Sequence, residues 1–544
     1  MVVTSARPAS EAGREILARG GNAVDAAVAA AFAVGVVEPY HSGIGGGGFI
    51  LFYDAESRRT FAIDARETAP AAAHRDMYRD ASGRIDRQAS RIGGQAVAVP
   101  GLVRGLLEVH ERFGKLERAA VLEPAIRIAR EGFPIGVRHR QILKFLVQYR
   151  RLAEFPETAQ IQLDQGRLPP LGWRLVQEDL ARTHEAIAAG GTEAFYSGPI
   201  AEAMVQAARD AGGALTLEDL ASYRTRWREP VRGAYRGIEV VSMPPPSSGG
   251  VHLIQMLNML EPFELAALGA NSSESIHLVA ESMKLAFADR AIHLGDPDFY
   301  PVPAEWLVSK AYGRELSQLL APRPFYQRPP WTWGRRRVLR VERAGTPPPD
   351  DSGTSHLSIM DASGNAVAIT QTVNLLFGSG LTVPEWGIVL NNEMDDFSAG
   401  PGVPNAFGLV GQEANAIVPA KRPLSSMTPT ILFRDGKPWM VIGSPGGPRI
   451  ITTVLQAVLN VVDYGMNIEE AVAAPRFHHQ WKPDRLSLEP DHPRDVASAL
   501  ARWGHPVDVS DRRWSSAQGI LRDPETGIFW GGTDPRSDGL AAGY

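Results

Sequence analysis

The chain has 544 residues, with 56 basic and 61 acidic side chains and a formal net charge of −5. This balance offers no electrostatic footprint for nucleic acid or an anionic membrane, and the length calls for several packed layers rather than one small core. The chain contains no cysteine, which excludes disulfides, a cysteine nucleophile and thiolate metal sites.

In chain order, Glu11 to Ala18 is predicted as a helix, stopped by Gly20-Gly21, with Asn22 placed to cap the next. The apolar run Ala26 to Val37 is bounded by Asp25 and Glu38 and is too short to span a bilayer. No basic segment precedes it, so the chain as given shows no export signal, which leaves two readings open: a cytoplasmic protein, or one whose upstream start is missing. Ile50 to Tyr53 and Thr60 to Ile63 are predicted strands, and residues 100 to 132 are two helices punctuated by Gly114 and Gly132. Ile238 to Met243 reads as a strand ended by prolines, and Ser272 to Asp289 as a long helix. Residues 322 to 352 are rich in Pro and Arg, including Arg335-Arg336-Arg337, and are expected to form a mobile, solvated tail. Beyond it, strands alternate with helices such as Thr452 to Asp463, which suits a layered α/β arrangement.

The junction at Gly353-Thr354 carries the most chemical information. The poorly patterned tail ends there and a well-patterned hairpin begins. Leu357 to Met360 and Ala366 to Thr370 are β-rich apolar runs, joined by the turn residues Asp361-Ala362-Ser363-Gly364. If Met360 faces Asn365, Thr354 faces Gln371 and lies diagonal to Thr372, within side-chain reach. A chain that cut itself at this junction would expose Thr354 with a free α-amine, so that one residue supplies nucleophile and general base. Gly353 has no side chain to obstruct that attack. From these residues alone, an ordinary hairpin with threonines on a strand is the alternative. His356 shares a strand face with Thr354 and is a rival base.

Further motifs alter the balance. They are Gly20-Gly21-Asn22-Ala23-Val24-Asp25, Gly45-Gly46-Gly47-Gly48-Phe49, Asp64-Ala65-Arg66-Glu67, Met243 to Gly250 and Gly295-Asp296-Pro297-Asp298. Past the junction come Leu390 to Ser398, Lys421 to Thr430, Gly443-Ser444-Pro445-Gly446-Gly447 and Asp534-Pro535-Arg536-Ser537. Together with the Thr354 segment, and in this order from end to end, they closely resemble the γ-glutamyltransferase (γ-glutamyltranspeptidase) family of N-terminal-nucleophile hydrolases.

The resemblance implies a four-layer αββα sandwich made of a large subunit, 1–353, intertwined with a small catalytic subunit, 354–544. It implies self-cleavage between Gly353 and Thr354, and a γ-glutamyl ester on Thr354 formed from glutathione and related amides. The acyl group then passes to water or to amino acid and peptide amines. It favours the α-amine over His356 as base, and assigns Thr372 to positioning the nucleophile. Gly446 and Gly447 become the oxyanion donors. Arg66, Ser425 and Ser426 are assigned to the substrate carboxylate, and Asp396, Glu393 and Asn374 to its ammonium. Glu393 stands where some relatives carry glutamine. Residues 399 to 412 correspond to a lid loop, in which Phe407 replaces a tyrosine often found there and lacks its hydroxyl. No cofactor, metal, nucleic acid or membrane span is expected, although members of this family are commonly periplasmic or secreted.

Two other readings remain. A glutaryl or cephalosporin acylase of the same family would cleave a substrate without the ammonium, leaving Asp396 and Glu393 facing no cation. An unprocessed relative would only bind such compounds. Ser247-Ser248 reads as a turn, the adjacent His478-His479 as unsuited to sharing a metal, and Gly45 to Gly48 as no phosphate loop, because no Lys-Ser/Thr follows.

Overall fold

The computed structural model describes residues 1–148, 152–320 and 352–543. The tail expected to be mobile, with Arg335 to Arg337, falls outside these residues as far as 351. The strands that build the core are β1 (Val2–Thr4), β2 (Gly47–Asp54), β3 (Arg59–Ala65), β4 (Arg226–Arg228), β5 (Val231–Tyr235), β6 (Ile238–Ser242) and β7 (Ser352–Met360). They continue with β8 (Ala366–Leu375), β9 (Thr430–Arg434), β10 (Lys437–Gly443), β11 (Gln518–Arg522), β12 (Phe529–Thr533) and β13 (Leu540–Ala542). One seven-stranded sheet has the order β13-β1-β7-β8-β2-β3-β4, and a six-stranded sheet has the order β12-β11-β10-β9-β6-β5. The predicted hairpin therefore lies at the centre of the larger sheet, and strands from both sides of the Gly353-Thr354 bond complete that sheet.

Alternation along β2 and β8 explains why their sequences read as continuous apolar runs. Phe49, Leu51, Ala366 and Ala368 belong to one core, while Ile50, Phe52, Val367 and Ile369 belong to another. Strands covered on both faces lose the polar half of the period-two pattern. β7 and β8 touch β10, and β7 also touches β11, so the two sheets are in contact.

The helix α1 (Arg7–Ala18) is followed by α2 (Ala23–Val37), every residue of which is buried. This is the apolar run judged too short for a membrane, and it packs on β7 and β8. Asn22 caps it as predicted: its side chain accepts from Val24 and Asp25 N–H, while Asp25 accepts from the Asn22 N–H at 2.9 Å. The later helices α3 (Leu102–Phe113), α4 (Arg118–Glu131), α5 (Gly249–Leu260), α6 (Ser273–His293) and α7 (Arg449–Val462) match the predicted positions where predictions were made. α5 and α7 pack on the smaller sheet. Among the described residues, no helix is long and apolar enough to cross a membrane.

The hairpin register differs from the sequence expectation by one residue. Met360 pairs with Ala366, and Thr354 lies directly opposite Thr372. The cause is the turn: Asp361 N–H donates to the Asn365 carbonyl at 3.1 Å, and the Asp361 carboxylate takes the Asn365 N–H at 3.0 Å. Asn365 therefore belongs to the loop rather than the strand.

Several motifs prove to be scaffold. A Cβ on Gly46 would lie 1.9 Å from the Thr372 carbonyl oxygen, and Gly47 pairs with Thr372 in the ladder. The glycine run thus lets β2 approach the back of the hairpin. Asp64 pairs with Arg228 at 2.7 Å, and Asp296 accepts the Arg422 N–H at 2.9 Å. Asp534, fully buried, pairs with Arg476 and accepts the Ala517 N–H at 2.9 Å. Removing one partner of a buried pair leaves the other charge uncompensated. Asp534→Ala should therefore cost roughly 3–5 kcal/mol of unfolding free energy, read as a lower urea midpoint. A midpoint equal to that of the parent would mean that Arg476 is compensated elsewhere.

Candidate active site

β7 and β8 bring three groups to one point. The hydroxyls of Thr354 and Thr372 are 3.1 Å apart, and Thr372 also donates to the Gly353 carbonyl oxygen. A carbonyl can only accept, so the single Thr372 proton is committed there, and Thr354 must be the donor in the pair. Thr372 Oγ1 further accepts the Asn374 N–H at 2.8 Å. The ladder is bulged between Thr372 and Asn374, with Asn374 at φ 76°. That bulge re-aims Asn374, whose Nδ2 donates to the Asn392 carbonyl at 2.9 Å. A Cβ on residue 353 would lie 2.6 Å from the Leu375 carbonyl oxygen, so this position requires glycine.

His356 shares the strand but is occupied elsewhere. Its Nδ1 meets Thr370 Oγ1 at 2.8 Å and its Nε2 meets Ser358 Oγ at 3.1 Å. Burial pushes its imidazole down to about 3, so it stays neutral.

The charged end of the site is built around Arg66, which follows β3 and is 1% exposed. Its Nη1 pairs with Glu393, its Nη2 with Asp396 at 2.6 Å, and its Nε donates to the Pro423 carbonyl at 3.2 Å. Burial opposes the charge, but Glu393, Asp396 and Glu67 outweigh it and hold the guanidinium above its ordinary value. Glu67 lies 3.8 Å from Arg66 Nη1. Burial pushes the Glu67 carboxyl up to about 7, and burial pushes the Glu393 carboxyl well up too, Arg66 only partly offsetting each. Burial is the main cause for both carboxyls, and the like charge of Asp396 adds to it.

Ser425 and Ser426 complete this end. Ser248 N–H and Oγ both donate to the Ser425 carbonyl, at 2.8 and 2.7 Å, and the Ser425 N–H donates to the Pro246 carbonyl at 2.8 Å. The Ser247-Ser248 turn therefore braces the serine pair. Arg290 of α6, buried behind it, donates to Ser248 Oγ at 3.0 Å and reaches Ser426 Oγ at 3.4 Å. Burial, with help from Arg66, pushes the Arg290 guanidinium down to about 10.

Gly446 and Gly447 follow β10 at φ 134° and 56°. Only glycine adopts the first freely, and a Cβ on Gly447 would meet the Phe407 ring at 2.8 Å. Phe407 is buried and packs directly on this turn.

A cavity is lined by Thr354, Thr372, Arg66, Asn374, Glu393, Asp396, Ser425, Ser426, Phe407 and Gly447. The sequence-predicted residues thus converge from segments far apart in the chain. Gly353 and Gly446 are not among the lining residues. Leu409, Met427 and Ile450, which give the cavity an apolar side, were not foreseen. Nor was Arg290. Glu67 adjoins Arg66 in its motif, but the only signal for Arg290 was a lone arginine in an otherwise buried stretch of α6.

The sequence showed no metal-ligand spacing, yet His277, Glu281 and His505 converge with candidate ligand atoms within 4.8 Å of one another. The His277–Glu281 spacing of four on α6 was legible; the approach of His505 was not. The two imidazoles hydrogen-bond at 2.7 Å, and the Lys284 ammonium lies 2.7 Å from Glu281, so the cluster already contains its cation.

Comparison with known proteins follows the same line. A profile described as Gamma-glutamyltranspeptidase matches residues 9–544. The chain is 44% identical to the glutathione hydrolase proenzyme of Escherichia coli (strain K12), over 100% of this chain and 92% of that one. It is 40% identical to the acylase ACY 1 proenzyme of Pseudomonas sp. (strain V22), over 99% and 92%. The crystal structure of cephalosporin acylase from Bacillus halodurans superposes with a TM-score of 0.86 at 31% identity, covering 100% of this chain and 95% of that one.

The raised Glu67 carboxyl predicts a pH dependence. A carboxyl raised from its ordinary 4.5 to about 7 binds its proton more tightly when folded. Its stabilising contribution is complete below about 4.5 and is lost as pH rises through about 7. The thermal midpoint of the parent should fall across that window relative to Glu67→Gln. Parallel curves would show that Glu67 is not the group holding the proton.

Proposed function

This chain belongs to the gamma-glutamyltranspeptidase family, and we propose that it is a self-processing enzyme that cleaves γ-glutamyl amides such as glutathione through Thr354. The observation that carries this reading is the Gly353–Thr354–Thr372 arrangement opening onto a cavity with a charged end. The contact of two sheets, with α2 on one and α5 and α7 on the other, supports a four-layer αββα sandwich. In that reading, residues 1–353 and 354–544 become the large and small subunits.

Maturation begins when Thr354 Oγ1 attacks the Gly353 carbonyl carbon. Thr372, already donating to that carbonyl, polarises it, and the Thr354 hydroxyl proton leaves along its bond to Thr372. The C–N bond breaks, the α-amine of Thr354 takes up the proton, and Gly353 is held as an ester. Water opens the ester and releases the Gly353 carboxylate.

The freed α-amine, with an ordinary pKa of about 8, then serves as base for the same hydroxyl. Thr354 attacks the substrate γ-carbonyl, and the oxyanion is met by N–H groups of the Gly446-Gly447 turn. The leaving amine takes the proton, and water or a second amine resolves the ester. Remaining N–H groups of Arg66 and the hydroxyls of Ser425 and Ser426 hold the substrate α-carboxylate. Asp396, Glu393 and Asn374 Oδ1 receive the ammonium. Those carboxylates favour a γ-glutamyl over a glutaryl substrate, because the latter offers them no cation.

Thr354→Ala should remain one chain on a denaturing gel and turn over no γ-glutamyl anilide, whereas the parent gives fragments 1–353 and 354–544, the second beginning Thr-Ser-His. Cleavage of the variant would remove Thr354 from the role. Thr372→Val should slow maturation by roughly 10²-fold, the effect of losing one well-placed oxyanion donor, followed as precursor decay. Asp396→Asn should raise KM for γ-glutamyl anilide at least tenfold more than for glutaryl anilide, a charge-assisted contact being worth about 1.5–3 kcal/mol. Equal effects would remove Asp396 from ammonium recognition.

A further inference from the structure

The loop over the cavity is held without the aromatic hydroxyl that its sequence lacks. Asn405, Phe407 and Leu409 form a closed turn: the Asn405 Oδ1 accepts N–H groups from Phe407 at 3.0 Å and Leu409 at 3.1 Å. The Asn405 backbone closes the same turn, its N–H donating to the Leu409 carbonyl and its carbonyl accepting the Gly408 N–H, each at 3.0 Å. This turn sets the Phe407 ring against Gly447.

Three side chains outside the turn hold it. Asp395 accepts the Ala406 N–H at 2.7 Å, Gln480 Nε2 donates to the Phe407 carbonyl at 3.0 Å, and Asn405 Nδ2 donates to Asp396 Oδ1 at 3.1 Å. The other Asp396 oxygen binds Arg66. Asn405 is therefore bifunctional. Its oxygen builds the turn that places Phe407, and its nitrogen grips a carboxylate that lines the cavity.

We propose that Asn405 is a positioning residue that couples closure of the Phe407 loop to the cation bound at Asp396, so that the loop closes firmly only over substrates bearing an α-ammonium. This rests on the reading of Asp396 as an ammonium acceptor. A bound ammonium fixes the Asp396 carboxylate between itself, Arg66 and Asn405, and the turn is fixed with it. A substrate without the cation leaves that carboxylate, and hence the turn, less constrained. Linkage makes the effect reciprocal: whatever loosens the Asn405–Asp396 contact weakens binding of the ammonium by the same factor.

The substitution Asn405→Asp separates the two roles. It retains the acceptor oxygen for Phe407 and Leu409, removes the donor, and sets a carboxylate against Asp396. With processed enzyme, KM for γ-glutamyl anilide should rise roughly tenfold, the loss of one hydrogen bond to a charged group. KM for glutaryl anilide should stay within about twofold, the range in which a change far from the altered contact falls. L-Glutamate, but not glutarate, should protect the 399–412 loop of the parent from limited proteolysis, and this protection should be lost in the variant. Asn405→Ser, which keeps a short acceptor but cannot reach Asp396, should give the same pattern and serves if three neighbouring carboxylates prevent folding.

Parental KM values and intact protection in both variants would reduce Asn405 to a turn former and overturn the coupling. Equal losses on both anilides would overturn it as well, since the effect would then bypass the ammonium. The underlying reading fails separately, through Asp396→Asn affecting both anilides alike.

Discussion

One buried guanidinium organises this site. Arg66 is almost fully enclosed, and a cation in that position is tolerable only if carboxylates surround it. Glu393 and Asp396 come from the segment after β8, Glu67 from the residue beside it, and a carbonyl from Pro423. Meeting that demand draws the end of β3, the 393–396 turn and the 423–426 segment to one place, and fixes the charged end of the cavity. It also crowds carboxylates into a dry site, and burial raises the Glu67 and Glu393 carboxyls.

The chemistry sits a short distance away on a different principle. Thr354, Thr372 and Gly353 meet through a β-ladder, a local and covalently restrained device. The ladder is bulged beside Thr372, so that one hydroxyl serves the Gly353 carbonyl, the Thr354 hydroxyl and the Asn374 amide at once. The two parts are joined twice: Asn374 and Asn392 lead from the hairpin to the acidic turn, and Asp395 and Asp396 lead from that turn to the loop carrying Phe407. The loop thus rests in part on Asp396, a carboxylate that also balances Arg66, which explains how it is held though residue 407 has no hydroxyl.

Much of this was legible beforehand, for identifiable reasons. The central hairpin, the Asn22 cap and helices α1 to α4 follow from local pattern and turn chemistry, which the chain carries within a few residues. The register was missed by one because Asp361 and Asn365 close the turn between them, a competition between loop and strand that alternation alone does not resolve. His356 was a reasonable rival base on strand geometry; only the positions of Thr370 and Ser358 show that both its nitrogens are occupied. Arg290 was overlooked because its partners, Ser248 and Ser426, lie 42 and 136 residues away.

The sequence by itself determined the elements, the hairpin that sets two threonines within reach of each other, and the residue types from which a γ-glutamyl site is assembled. These depend on neighbours along the chain and on motif identity. Tertiary structure alone decided which carboxylates face Arg66, that burial raises the Glu67 and Glu393 carboxyls, that Arg290 stands behind the serines and that Asn405 ties the loop to Asp396. Each of those depends on desolvation and on contacts between segments far apart in sequence, and burial is a property no residue has until the whole chain has packed around it.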